Sequence, residues 1–217
     1  MQRLKNELKL AGSNLYIICA ALLIALTFFA IAAGDLVNLS CIGFEVIYPF
    51  FAAITIGEWG KTRADDNYDI IAAQSKSLFS WVIMRYIAIF SLTSLFALLG
   101  MASIFLIRKE MPLWEIMLTY FSTAFCLTSF GTLIGLCYSQ EHIATLVCGI
   151  VWLVELMARG LLRVPGMEYF YLFIRLAGDP NGFWVANKTI IFIIGVAMWF
   201  VIYWICRRKP SQGAAYQ

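Results

Sequence analysis

The stretch 78–107, LFSWVIMRYIAIFSLTSLFALLGMASIFLI, carries a single charged side chain, Arg85, along its whole length. A helix needs about 20 predominantly apolar residues to cross a bilayer. A 30-residue run with one charge gives a helix no polar face to turn to water, so this segment decides the class of the chain. Five more apolar runs accompany it, at 15–33, 41–57, 113–138, 143–162 and 189–206. The run 41–57 is marginal in length, and 78–107 is long enough to tilt or to project from the bilayer. The chain is therefore read as an all-α membrane protein with six transmembrane helices. Composition agrees: of 217 residues, 62% are hydrophobic and 13% charged, whereas soluble domains carry about 25% charged residues. Seven Trp, ten Tyr and 17 Phe suit the membrane–water interface, where amphipathic rings settle.

Orientation follows from lysine and arginine. With the N-terminus inside, the inner side receives Arg3, Lys5, Lys9, Lys61, Arg63, Lys76, Arg85, Arg207, Arg208 and Lys209. The outer side receives Arg108, Lys109, Arg159, Arg163, Arg175 and Lys188. Both termini are expected in the cytoplasm. Residues 1–14 place Leu4, Leu8 and Ala11 on one helical face and Arg3, Lys5 and Lys9 mostly on the other. That is either a short interfacial helix on an anionic leaflet or a charged tail. Ala30-Ile31-Ala32 resembles a signal-peptidase site, but the apolar run continues to Ala33, so an uncleaved first span is expected.

The longest polar interruption is 58–80, EWGKTRADDNYDIIAAQSKSLFS, with Glu58, Lys61, Arg63, Asp65, Asp66, Asp69 and Lys76. The same orientation puts it in the cytoplasm, where it is the one element built to meet a soluble partner. It contains Gly60-Lys61-Thr62, a fragment of a phosphate-binding loop. That loop needs an earlier glycine, and position 55 is Thr55, so nucleotide binding by this chain is rejected. The other long connection, 163–188, has turns at Pro165-Gly166 and at 178–182 around the apolar run 167–177. It is expected either as a re-entrant outer hairpin or as an interfacial helix lying flat.

Few residues offer chemistry. His142 is the only histidine, which excludes multi-histidine metal centres; it is expected as an ordinary turn residue. No basic block suited to nucleic acid occurs. The six cysteines are scattered through or beside apolar runs with no CxxC and are read as packing thiols. Glu155 and Arg159 lie one helical turn apart and are expected either to neutralise each other or to line a route. Glu45 is the comparable acid in the second span, nearer the outer interface. Arg85 either snorkels to the inner headgroups or ties its span to the polar stretch. Thr119, Ser122, Thr123, Thr128, Ser129 and Thr132, with Gly131 and Gly135, suit close helix packing or, as the sharper option, a partly polar cavity wall.

This order of parts resembles the permease subunit of type-2 ABC exporters. The matching residues are Glu58 closing the second span, the helix Asp66-Asn67-Tyr68-Asp69-Ile70-Ile71, the turn Ala73-Gln74-Ser75-Lys76, and Arg85-Tyr86. Trp184-Val185-Ala186-Asn187-Lys188 precedes the last span, and Arg207-Arg208-Lys209 closes it. The family's turn proline is absent, with Gln74 near its place. The resemblance implies a cytoplasmic coupling helix within 58–77, between spans two and three, and a re-entrant outer hairpin at 163–188. It implies two separate ABC ATPase subunits, with ATP and Mg on them and no cofactor on this chain. It also implies a second permease copy or sister permease, in a bacterial plasma membrane. The ATPase-coupling contact would comprise Glu58, Trp59, Lys61, Arg63, Asp66, Tyr68, Asp69, Ile70 and Arg85. The translocation route or gate would involve Glu45, Glu155, Arg159, Tyr169 and Phe173. The cargo expected is amphipathic or hydrophobic, a bacteriocin or toxin peptide ahead of a small drug. A non-transporting immunity or sensor protein stands as the alternative, and a membrane-embedded enzyme behind it.

Overall fold

The computed structural model describes residues 16–25, 42–60, 62, 78–107, 113–177 and 182–207. Every regular element among them is helical. The first is α1 (Tyr16–Ala25), the described part of the run expected at 15–33. A π-helical turn, Ile42–Ile47, leads into α2 (Tyr48–Trp59). Then come α3 (Leu78–Ile107), α4 (Leu113–Cys137), α5 (Ile143–Met157) and α6 (Trp184–Arg207). Among the described residues, four helical segments are long and apolar enough to cross a membrane: α3, α4, α5 with its extension to Gly160, and α6.

The helix α4 is the hub. It lies against α2, α3, α5 and α6, and it is the most buried of these four segments. Its hydroxyls explain how a polar-sprinkled helix sits there. Thr119, Ser122, Thr123, Thr128, Ser129 and Thr132 are all buried. Thr128 and Thr132 return a hydrogen bond to the carbonyl four residues back, at 2.6 and 2.8 Å. Tyr86 Oη and Thr128 Oγ1 lie 3.0 Å apart, joining α3 to α4, and Trp199 Nε1 donates to Ser129 at 3.0 Å from α6. A Cβ on Gly131 would sit 3.1 Å from Cys148 Sγ, so the small residue serves the approach of α5. Close packing is what these residues do.

Elements depart from the sequence expectation where backbone geometry changes. The segment expected at 41–57 opens with six π-helical residues. The π turn leaves the Val46 carbonyl accessible to Trp152 Nε1, which donates to it at 3.2 Å. The segment expected at 143–162 leaves α-geometry at Met157 and continues as a 3-10 helix, Ala158–Arg163. The last helix begins at Trp184 rather than 189, which brings Lys188 inside it. Between Gly166 and Ala177 the chain forms a 3-10 turn, Met167–Tyr169, and a succession of further turns. The interfacial helix 1–14 and most of the 58–77 stretch lie outside the described residues.

Candidate functional site

The π turn and α2 form one continuous rod, since Ile47 at their junction keeps right-handed helical angles. Each end carries a glutamate: Glu45 at one, Glu58 at the other, about 20 Å apart at ~1.5 Å rise per residue. Each carboxylate holds a different neighbour.

At the Glu45 end the site is dry. Glu45 and Lys188 are both 0% exposed, and Lys188 Nζ lies 2.6 Å from Glu45 Oε1. The ammonium has three protons to place. Besides Glu45 it donates to the Leu172 carbonyl at 2.6 Å and to Thr123 Oγ1 at 3.0 Å. Glu45 in turn accepts the backbone N–H groups of Arg175 at 3.1 Å and Leu176 at 2.7 Å. Glu155 Oε2 accepts the N–H of Leu172 at 3.2 Å. Asn187 Nδ2 donates to the carbonyls of Glu168 at 2.7 Å and Tyr171 at 2.9 Å. Arg159 Nη2 donates to the Ala177 carbonyl at 3.1 Å.

These bonds share one target. The run 171–177 has no helix or sheet of its own to satisfy its backbone, although Tyr171, Leu172, Phe173 and Ile174 are buried. Buried N–H and C=O groups must be paired, and here side chains from the rod, α5 and its 3-10 extension, and α6 pair them, beside two backbone bonds, from Tyr171 to the Met167 carbonyl and from Ala177 to that of Phe173. Apolar contacts complete the seating: Phe173 and Ile174 join Val46, Ala53, Cys126, Leu127, Cys148 and Ile191 in one cluster. Arg175 reaches the other way, to Glu115 Oε2 at 2.9 Å and over the Trp184 ring at 4.7 Å.

At the Glu58 end the site is wet. His142 Nδ1 lies 2.8 Å from Glu58 Oε2, with the imidazole 66% and the glutamate 25% exposed. Thr145 Oγ1 donates to Glu58 Oε1 at 2.6 Å. Gly57 makes this reach possible, because a Cβ there would stand 2.9 Å from the Thr145 backbone nitrogen. His142 holds a left-handed backbone, φ 58, in the tight turn between α4 and α5.

Several sequence expectations change. Glu155 and Arg159 do not pair with each other; both turn to the 171–177 backbone, whose groups need partners more than the helix surface does. Lys188 is no loop cation: the earlier start of α6 puts it one turn inside the bundle. Glu45 is half of that buried pair. His142 is more than a turn residue, since it clasps Glu58. Cys19, Cys126 and Cys148 are buried thiols, whereas Cys137 is exposed.

The remaining site residues are dispersed. Phe173 is fully buried, while Tyr169 is half-buried with its ring 5.9 Å from Phe183. Trp59 packs inward beside Cys19, Ile56 and Tyr86. The Arg85 guanidinium sits 4.3 Å over the Trp81 ring. Lys61, Arg63, Asp66, Tyr68, Asp69 and Ile70 lie outside the described residues.

Sequence reasoning named Lys188 as an outer cation and Thr123 as a packing or cavity-wall hydroxyl but missed their contact, as it missed Thr145 and the role of His142. The signal for Lys188 was Trp184, Val185 and Ala186 running straight into the last apolar segment, which extends the helix back past the lysine. No protein-family model, curated protein or solved structure matches this chain.

Proposed function

We propose that the chain is the membrane-spanning permease subunit of an ATP-driven exporter of the type-2 ABC class. In this reading it has six spans, with both termini in the cytoplasm of a bacterial cell. Residues 58–77 dock two separate ATPase subunits, and a second copy or a sister permease completes the route. ATP and Mg reside on the ATPases. The cargo is amphipathic or hydrophobic, a peptide such as a bacteriocin or toxin ahead of a small drug.

The observation that carries this reading is the rod gripped at both ends. The polar stretch hangs directly from Trp59, so a push on it acts along α2. The far end of the same rod holds the irregular 171–177 run through Glu45, and the near end moves with the α4–α5 turn through Glu58. A packed helix displaced as a body has two arrangements rather than a continuum, which is what alternating access requires. Charged groups buried among membrane-spanning helices also fit a transport protein better than a simple anchor, because they are costly to place there.

Affinity purification of the chain from its own cells tests the reading. An ATPase bearing a phosphate-binding loop should copurify, and replacing residues 61–71 with a Gly/Ser linker should abolish its recovery. The reading fails if no ATPase is bound, or if binding survives the replacement.

A further inference from the structure

We propose that Pro49 is a positioning residue: it keeps Ile42–Ile47 in π geometry, and that geometry aims Glu45 at Lys188. A proline has no N–H, and its ring clashes with the carbonyl four residues back. Four residues back from Pro49 is Glu45. A proline is harmless in the first turn of a helix that starts afresh, where its N–H would lack a partner anyway. Pro49 is the second residue of α2, but α2 does not start afresh. The chain enters it from the π turn with helical angles at Ile47, φ −74 and ψ −52. An α-helical approach would drive the Glu45 carbonyl into the proline ring. The wider π turn carries that carbonyl clear without a break in the rod.

Turn width decides direction. A π turn closes its bonds five residues apart, so each residue turns the chain by less than the roughly 100° of an α-helix. The shortfall accumulates from Ile47 back to Glu45 and sets where the carboxylate points. It points to Lys188 Nζ at 2.6 Å, with both side chains fully buried. The helix α5 holds the same offset from the side. Trp152 Nε1 donates to the Val46 carbonyl at 3.2 Å, and the same indole stacks on the Phe50 ring at 4.2 Å. Those two contacts lie on either side of Pro49. In unbroken α geometry the Val46 carbonyl would belong to the Phe50 N–H, four residues on. One indole thus grips the π side and the α side together, and it reports which geometry the turn holds.

Pro49→Ala releases the turn. It supplies an N–H to the Glu45 carbonyl and removes the ring. The α ladder then closes through residues 42–50, the Val46 carbonyl passes to the Phe50 N–H, and Glu45 swings off Lys188. None of this depends on the transport reading, because the geometry of the turn is a property of the chain alone. A chain that recruits no ATPase can still show it.

Indole NMR of the full chain in lipid nanodiscs, with isotopically labelled tryptophan, decides it. The Trp152 and Trp199 resonances are assigned by their loss in Trp152→Phe and Trp199→Phe. In Pro49→Ala the Trp152 indole proton should move upfield as it loses the Val46 carbonyl. The Trp199 indole proton, donated to Ser129 between α6 and α4, should stay where it is. A thermal measurement reads the other end of the claim. Glu45→Gln should lower the unfolding midpoint sharply in the wild type. Most of that drop should vanish in the Pro49→Ala background, where Glu45 no longer meets Lys188. A Trp152 resonance unmoved by Pro49→Ala overturns the proposal. So does movement or loss of both resonances, since the proline would then support the whole bundle and not the turn. A full Glu45→Gln drop in the Pro49→Ala background overturns it too, since the π geometry would not be what places Glu45.

Discussion

The two glutamates on the rod meet the same kind of partner, a basic side chain, and receive opposite treatment from solvent. Glu45 and Lys188 are sealed at 0% exposure with every ammonium proton placed. Glu58 meets His142 where the imidazole is 66% exposed. Coulomb attraction between such groups differs severalfold between a dry interior and water, but so does the cost of burying them. The comparison teaches that the dry pair dictates structure and the wet clasp only adjusts it. A lone charge left at the Glu45 end has nowhere to go, whereas one left at the Glu58 end is hydrated at once.

That contrast is most easily broken at Glu45. Glu45→Ala removes the carboxylate in direct contact with the buried Lys188 ammonium and strands two backbone N–H groups. The expected loss is about 3–5 kcal/mol of stability, read as a large drop in the thermal unfolding midpoint of the solubilised protein. A loss below about 1 kcal/mol, the range of exposed pairs, would mean that water reaches the pair and that the two ends are alike.

The next effect is steric and belongs to the Glu58 end. Gly57→Ala puts a methyl group 2.5 Å from Thr145 Oγ1 and 2.9 Å from its backbone nitrogen. The nearby backbone cannot yield as a flexible side-chain tip would, so α2 and α5 must separate. Overpacking of this kind costs about 1–3 kcal/mol. Crosslinking between cysteines placed across the α2–α5 contact should fall in step. An unchanged crosslinking yield would show that the clasp, rather than the close approach, sets this spacing.

The sequence was explicit about what hydropathy encodes. A run such as 78–107 has one physical solution, and the helix Leu78–Ile107 is that solution. The Ser/Thr/Gly pattern of α4 suited close packing or a partly polar cavity wall, and the buried hydroxyls follow the first. Hydropathy is silent on pairing between distant segments. Glu45 and Lys188 are far apart along the chain, and nothing local marks either as the other's partner. Local rules instead suggested the Glu155–Arg159 pair, one turn apart, and it does not form. The backbone of 171–177 competes for both side chains, and a spacing rule takes no account of a competitor from another element. The positive φ of His142 was hidden for a similar reason, because the turn between α4 and α5 is set by how closely those helices pack.

The smallest expected effect sharpens the comparison most, because it turns on salt. Glu58→Gln keeps the shape of the clasp and an acceptor for Thr145, and removes only the charge facing His142. Because the imidazole is largely hydrated, the loss should stay within about 1 kcal/mol. With the imidazole protonated, it should also shrink as ionic strength rises, since the screening length falls from about 10 Å at 0.1 M to about 3 Å at 1 M. The buried pair answers differently, because salt does not enter a sealed site: the penalty of Glu45→Ala should be nearly the same at both concentrations. Measuring unfolding midpoints of both variants against wild type, at low and at high salt, therefore separates the two ends in one experiment. A salt-independent Glu58→Gln penalty would place that carboxylate in a sealed environment too, and the rod would then be locked at both ends instead of at one.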